Sequence, residues 1–183
     1  MSIDAIMEQL RGYNCRHVVL TGGEPMVASG IRELTAALRS EGKHITIETA
    51  ATLPPEGIVF DLASLSPKLA NSTPDIEKAG PWRKRHESSR RKPQVIRQWM
   101  EAGPCQLKFV VSALEDLPEI EALLNEVGSM TGFTRDRVLL MPEGTDQETL
   151  RKRAPLVGEL CLKYGFRFAP RLHIELYGNK RGT

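Results

Sequence analysis

The sequence predicts an α/β fold built on parallel strands. Short apolar runs recur along the chain and alternate with longer segments of helical periodicity. Glycine or proline separates many of these segments. Regular alternation of strand and helix is typical of a parallel sheet with right-handed crossovers. Because 183 residues can bury one sizeable core, we expect a single domain over residues 1–183.

The first part of the chain contains three predicted strands and two predicted helices. In order, we expect a helix over residues 2–10, a strand over 17–20, a helix over 31–39, and strands over 43–49 and 58–62. Ser2 can cap the first helix, and the second helix ends near Gly42. The strand at 43–49 alternates β-branched with polar residues, which places one face in a core.

The second part continues the same alternation. We expect a helix over residues 94–100, a strand over 106–111, a helix over 116–127, a strand over 137–141, a helix over 147–164 and a short strand over 166–169. The pair Gly103 and Pro104 stops the first of these helices, and Pro118 is tolerated in the first turn of the next. Gly165 closes the last helix.

The most informative segment is residues 21–25, Thr-Gly-Gly-Glu-Pro, between a predicted strand and a predicted helix. Two adjacent glycines let backbone amides and carbonyls approach a ligand closely. An ionised Glu24 only accepts hydrogen bonds, so it suits an ammonium partner. Pro25 biases Glu24 towards an extended conformation. The segment therefore predicts either a small binding site for an amine or a plain strand-to-helix turn with an N-terminal carboxylate.

Other polar side chains follow the carboxyl ends of predicted strands, where ligands bind in parallel α/β proteins. They are residues 21–24, Glu48 with Thr49, residues 66–68, Glu143 and His173. Lys108 lies within its strand instead, where it could point into a barrel. A buried lysine needs a partner of opposite charge, because burying an unpaired charge is costly.

Six motifs in order resemble one enzyme family. They are TGGEP at 21–25, IET at 47–49, LSPKL at 65–69, QLKFV at 106–110, MPEGT at 141–145 and RLHIELYGN at 171–179. The first resembles the GGEP motif of radical S-adenosylmethionine (SAM) enzymes, which binds the amino group of SAM. The whole set, from about residue 17 to the C-terminus, resembles the 7-carboxy-7-deazaguanine synthases of queuosine and deazapurine biosynthesis.

The resemblance implies a partial (β/α) barrel of the radical SAM type, with parallel strands, that forms a homodimer. It implies a lyase that converts 6-carboxy-5,6,7,8-tetrahydropterin to 7-carboxy-7-deazaguanine and releases ammonia. In that family a 4Fe–4S cluster cleaves SAM to a 5′-deoxyadenosyl radical, and Mg²⁺ is a further cofactor.

The cysteine pattern departs from the family. Radical SAM enzymes bind the cluster through a CxxxCxxC loop after the first barrel strand, whereas Cys15, Cys105 and Cys161 lie far apart in this sequence. We therefore expect this chain to lack the first strand and the ligands for the cluster and Mg²⁺, and to be inactive alone. Each cysteine is then a buried or partly buried free thiol. The alternative function is a non-catalytic SAM- or nucleoside-binding remnant, acting as a sensor or partner subunit.

The resemblance also implies roles for individual residues, none of them catalytic. The residues expected to bind SAM are Gly22, Gly23, Glu24, Ser66, Pro67, Lys68, Gln106, Lys108 and Phe109. Those expected near the substrate are Thr21, His173 and Thr183.

Several of these residues have a plainer interpretation. Lys68 could be a solvated loop lysine, and residues 106–109 could be a core strand whose lysine reaches out to solvent. His173 could be a structural histidine. Glu48 could orient a ligand-binding group or be a simple barrel carboxylate.

Residues 71–93 form a polar, basic insertion. Its basic side chains are Arg83, Lys84, Arg85, Arg90, Arg91 and Lys92. The segment could contact phosphate or RNA, or it could be a solvated loop. The family carries a variable insertion at this place, which favours the solvated loop and argues against a nucleic-acid partner.

Composition adds broad limits. An apolar content of 40% and a charged content of 26% are ordinary for a globular protein. The net charge of +2 requires neither nucleic acid nor a membrane. No apolar stretch approaches the roughly 20 residues that span a bilayer, and the start does not resemble a signal peptide. We therefore expect a cytoplasmic protein without a membrane partner.

Overall fold

Six parallel strands form one sheet in which spatial order follows sequence order. The computed structural model describes residues 1–75, 77, 80–131 and 133–180. The strands are β1 (His17–Leu20), β2 (His44–Thr49), β3 (Leu62–Leu65), β4 (Cys105–Val111), β5 (Val138–Pro142) and β6 (Arg167–Phe168). Within the described residues, β1 and β6 do not pair with each other, so the sheet is not closed into a barrel. The predicted α/β fold with parallel strands is confirmed.

The described part of the chain has seven α-helices, of which the first precedes β1 and the others connect or follow the strands. They are α1 (Ile3–Arg11), α2 (Ile31–Ser40), α3 (Pro81–Ser89), α4 (Pro93–Ala102), α5 (Leu117–Thr131), α6 (Gln147–Tyr164) and α7 (Leu172–Tyr177). The Ser2 hydroxyl accepts from the Ala5 amide at 3.3 Å and caps α1, as predicted. Gly165, with φ of 72°, ends α6 in the left-handed conformation that favours glycine.

None of the helices in the described ranges has the length and apolar character needed to cross a membrane.

The core lies between the sheet and the helices. Leu107 and Phe109 of β4 are fully buried on one face, together with Ile45 and Ile47 of β2. Burying a side chain of this size contributes about 1.5–3 kcal/mol to folding. Because successive side chains of a strand point to opposite faces, the polar residues between them, Lys108 among them, lie on the other face.

One strand prediction was wrong. The apolar run at 58–62 was expected to pair, but β3 begins at Leu62, opposite Thr46 of β2. Phe60 packs instead on Trp99 of α4, with ring centroids 5.4 Å apart. Asp61 accepts a hydrogen bond from the Ile45 amide with its side chain at 2.7 Å. The Asp61 carboxylate therefore occupies the Ile45 N–H, and the pairing of β2 with β3 begins at Thr46 and Leu62.

Helices α3 and α7 were not predicted from the sequence. Helix α3 lies in the described part of the 71–93 insertion and has no buried residue, so it lacks the apolar periodicity that predicts a helix. Helix α7 is six residues long and has Ile174 as its buried residue.

Candidate functional site

A cavity of about 440 Å³ lies at the carboxyl edge of the sheet. Its lining comes from segments that end or follow the strands, because parallel strands bring their carboxyl ends to one edge. The lining residues are Thr21, Gly22, Gly23, Glu48, Thr49, Ala50, Ser66, Lys68, Lys108, Val110, Met141, Pro170, Arg171, Leu172 and His173. Most of the polar residues that the sequence placed after the strands do lie together at this edge.

Glu24 holds the glycine turn against β2. Its carboxylate accepts hydrogen bonds from Thr49 Oγ1 at 2.7 Å, from the Ala50 amide at 3.0 Å and from the Met26 amide at 3.1 Å. A carboxylate has about four lone-pair sites, so these three donors leave room for one further donor such as an ammonium group. The turn is thus held in place by the protein before any ligand arrives.

The two glycines keep the turn open towards the cavity. Gly22 has φ of 134°, a conformation that side-chain-bearing residues rarely adopt. A Cβ added at Gly23 would meet no atom within 4 Å, so this face of the turn is empty. Backbone groups of both glycines can therefore approach a ligand directly.

Lys108 and Glu48 form an ion pair on the cavity face of the sheet. Lys108 Nζ lies 2.7 Å from Glu48 Oε1, and the lysine side chain is 14% exposed. The partner charge that a buried lysine requires is therefore present. Glu48 was left open between two roles, and the structure places it as the partner of Lys108.

Lys68 lies in the loop after β3 and keeps contact with solvent. Partial desolvation by the surrounding protein lowers the pKa of Lys68, and the positive charge of Lys108 lowers it further. The carboxylates of Glu24 and Glu48 act in the opposite direction, and Arg171 adds a third positive charge to the group. Three cations around one cavity favour an anionic ligand group, such as a carboxylate.

A second cavity of about 460 Å³ adjoins the first. It is lined by Ser66, Pro67, Lys68, Leu69, Asn71, Ser72, Val110, Ser112 and Glu143. Ser66, Lys68 and Val110 line both cavities, so Lys68 stands at their boundary. Both volumes fall within the range of about 300–1,000 Å³ that is usual for small-molecule sites.

The structure brings most of the predicted site residues together. Those lining one or both cavities are Thr21, Gly22, Gly23, Ser66, Pro67, Lys68, Lys108 and His173.

Three predicted site residues line neither cavity, and a fourth is not described. Glu24 supports the turn rather than lining either cavity. Gln106 donates to Ser64 Oγ at 3.2 Å, within the sheet. Phe109 is fully buried in the core, because strand alternation turns it to the helical face. Thr183 lies outside the described residues.

Arg171 is the residue that sequence reasoning overlooked. It lines the cavity, and its Nε donates to the Pro142 carbonyl at 3.2 Å, which ties the segment after β6 to β5. The signal was present, since Arg171 belongs to the quoted motif at 171–179 and follows the last strand. Like Lys68, Arg171 is a cation that follows a strand and lines the cavity.

The three cysteines do not converge on this edge. Cys15 is exposed and its Sγ lies 3.1 Å from the His17 carbonyl oxygen, before β1. Cys105 opens β4, Cys161 lies in α6, and burial raises the pKa of both thiols. Among the residues that the structure describes, no group of three or more His, Cys, Asp or Glu is placed to hold a metal ion. The three cysteines therefore do not come together as ligands of one cluster.

Comparison with solved structures identifies the class of fold. Crystallised QueE from Escherichia coli superposes with a TM-score of 0.64 at 21% identity, covering 93% of this chain and 64% of that chain. SuiB from Streptococcus suis superposes with a TM-score of 0.58 at 19% identity, covering 92% of this chain and 42% of that chain. The chain shares its fold with QueE and SuiB.

Curated relatives identify the family. A protein of Rhodopirellula baltica named 7-carboxy-7-deazaguanine synthase is 38% identical over 183 residues, which is 100% of this chain and 69% of the relative. One of the same name from Halobacterium salinarum is 40% identical over 191 residues, covering 100% of this chain and 74% of the relative. No protein-family model matches the chain. The chain belongs to the 7-carboxy-7-deazaguanine synthase family.

Proposed function

We propose that this chain carries the SAM- and substrate-binding edge of a 7-carboxy-7-deazaguanine synthase. The reaction is the conversion of 6-carboxy-5,6,7,8-tetrahydropterin to 7-carboxy-7-deazaguanine with release of ammonia. One observation carries the proposal: the glycine turn, Lys68 and His173 come from three distant segments and line one cavity at the carboxyl edge.

The site residues suit the amino-acid part of SAM. Backbone groups of Gly22 and Gly23 face the cavity, and the Glu24 carboxylate retains one acceptor site for an ammonium group. Lys68 provides a positive charge for the carboxylate of SAM, at the boundary of the two cavities. Bound SAM would supply the group that removes a hydrogen atom from the substrate, and these residues would hold its amino-acid part.

The pterin substrate is proposed to occupy the part of the edge near Thr21 and His173. Both residues line the first cavity, and Arg171 beside them offers a charge for the substrate carboxylate. The role of this edge is positioning, since the cofactor performs the difficult chemistry.

We propose that the residues present here do not cleave SAM by themselves. None of Cys15, Cys105 and Cys161 lines the cavity, and the two buried thiols have a raised pKa that disfavours the thiolate a cluster requires. As the family resemblance implies, we also propose a cytoplasmic homodimer. Exposed apolar side chains of α7, Leu176 and Tyr177, are available for such an interface.

Binding measurements test the proposal. SAM and the pterin are titrated calorimetrically into the wild-type chain, the Lys68→Met variant and the Lys152→Met variant. Lys152 pairs with Glu148 on the exposed face of α6 and serves as the matched control. We expect Lys68→Met to weaken SAM binding about tenfold, the loss of a charged hydrogen bond, and Lys152→Met to leave it unchanged.

The outcomes separate the candidate functions. Saturable binding of SAM and the pterin supports the synthase edge, whereas SAM binding without pterin binding favours a SAM sensor. No SAM binding at millimolar concentration contradicts both. A separate anaerobic assay after reconstitution with iron and sulfide tests inactivity, since formation of 5′-deoxyadenosine by this chain alone would refute it.

A further inference from the structure

Arg90 reaches the loop that carries Lys68, although it lines neither of the two cavities. It follows helix α3, and its side chain is only 12% exposed. Arg90 Nη1 donates to the Lys68 carbonyl at 3.3 Å. The same guanidinium pairs with Glu87, at 2.9 Å from Nε, and with Glu119.

Glu119 holds the other side of the same loop. Its Oε2 accepts a hydrogen bond from the Ala70 amide at 2.8 Å. Lys68 and Ala70 flank Leu69, which is 3% exposed and packs into the core. The Arg90–Glu119 pair therefore hydrogen-bonds to the main chain on both sides of the buried Leu69; we call these two contacts the grip on the loop.

The chemistry of this contact favours a fixed geometry. A guanidinium presents planar, rigidly spaced donors, and its bonds to carboxylates are charge-assisted. The Lys68 side chain is long and loses rotamer entropy when a ligand orders it. A main chain that is already fixed at Lys68 lowers that cost, because only the side chain remains to be ordered.

We propose that Arg90, acting with Glu119, is a positioning residue that holds Lys68 at the boundary of the two cavities. Arg90, at the end of α3, then supports the SAM site from outside the two cavities. The effect on SAM rests on the function proposed above, whereas the grip on the loop stands on the hydrogen bonds alone.

A double-mutant cycle tests the proposal. SAM dissociation constants are measured by calorimetry for Arg90→Ala, Lys68→Ala and the double variant. We expect Arg90→Ala to weaken binding about tenfold in the wild-type chain and less than about twofold in the Lys68→Ala background. Arg91→Ala is the matched control, since Arg91 is the next residue and pairs with Glu126 at 2.7 Å; it should leave binding unchanged.

Equal losses in both backgrounds would overturn the proposal, because they would indicate a general structural role. Arg90→Lys keeps the positive charge but not the planar guanidinium, and should recover part of the affinity for SAM that Arg90→Ala loses. If Arg90→Ala does not fold, Arg90→Lys and Glu119→Gln replace it in the cycle.

Hydrogen exchange at the Ala70 amide provides a test that does not depend on SAM. Loss of the grip in Arg90→Ala should accelerate exchange of this amide at least about fivefold, because its acceptor on Glu119 is freed to move. Arg91→Ala should leave it unchanged. An unchanged Ala70 exchange rate in Arg90→Ala would refute the grip, whereas absent SAM binding by the wild-type chain would refute the proposed function alone.

Discussion

Lys108 Nζ and Glu48 Oε1 lie 2.7 Å apart across strand β3. The two residues belong to β4 and β2, the strands on either side of it, and both line the first cavity. The pair links β2 with β4 on the face of the sheet that lines the cavity. It also keeps an ammonium group at the centre of a site that we propose binds carboxylates.

Removing one member of this pair should destabilise the fold. Glu48→Ala leaves the largely buried Lys108 ammonium without its partner. We expect the free energy of unfolding to fall by about 1–3 kcal/mol. Urea unfolding followed by circular dichroism measures this change.

The control for this prediction is Glu148→Ala, which breaks the exposed Lys152–Glu148 pair on α6. An exposed pair contributes about 0–1 kcal/mol, so this change should be smaller. The double variant Glu48→Ala, Lys108→Met should lose less than the sum of its single changes. Strict additivity would contradict a direct coupling of the two residues.

Sequence patterns predicted the parts of the fold that follow from local rules. Strand β1 was predicted with its observed bounds, because His17 and three apolar residues precede the glycine turn. The need of Lys108 for a partner also followed from its place in a buried strand. The identity of the partner did not, since Glu48 is 60 residues away and their contact depends on strand order and register.

The errors have physical causes of the same kind. Just before β3, the Asp61 carboxylate accepts from the Ile45 amide, a long-range contact that no local pattern shows. Helix α3 has no buried face and so gives no periodic signal. Phe109 was assigned to the SAM site within a motif, but its alternation with Lys108 turns it into the core.

Glu24 should contribute to stability as well as to binding. Glu24→Gln replaces one carboxylate oxygen by NH₂, which then faces either the Ala50 amide or the Thr49 hydroxyl and Met26 amide. Because a donor then faces donors, we expect the free energy of unfolding to fall by about 1–2 kcal/mol. Thermal and urea unfolding of the variant measure the loss.

Glu33→Gln is the control for that substitution, since Glu33 is exposed in the first turn of α2. We expect this change to stay within about 0.5 kcal/mol. Equal stability of Glu24→Gln and the wild-type chain would show that the carboxylate does not hold the glycine turn.

The Asp61 carboxylate should make stability depend on pH in the acid range. The hydrogen bond from Arg39, and next the one from the Ile45 amide, lower the pKa of Asp61. The unfolded value is about 3.9, so the stabilisation is present above about pH 4 and is lost as the pH falls through the folded pKa. Asp61→Asn should therefore differ most from the wild-type chain at pH 7.

Urea unfolding at pH 7 and at pH 2.5 compares the two proteins. The stability difference should narrow at the lower pH, because a falling pH increasingly protonates the carboxyl group and removes its charge. A difference that is the same at both values would mean that the charge of Asp61 does not contribute.

The cysteines should differ in their reaction with iodoacetamide. Cys15 is exposed, whereas Cys105 and Cys161 are buried and have a raised pKa because of that burial. We expect Cys15 to be alkylated first in the native protein at pH 8, and the other two only after unfolding in urea. Mass spectrometry of timed samples measures the three rates, and similar native rates would contradict the described burial.

The most direct test of ligand binding at the carboxyl edge is a titration of the ¹⁵N-labelled chain with SAM, followed by amide NMR shifts. The site predicts saturable shift changes that are largest at Gly22, Gly23 and Lys68, with α1 and the first residues of β4 unaffected. An absence of saturable changes, or changes confined to α3, would contradict a SAM site at this edge of the sheet.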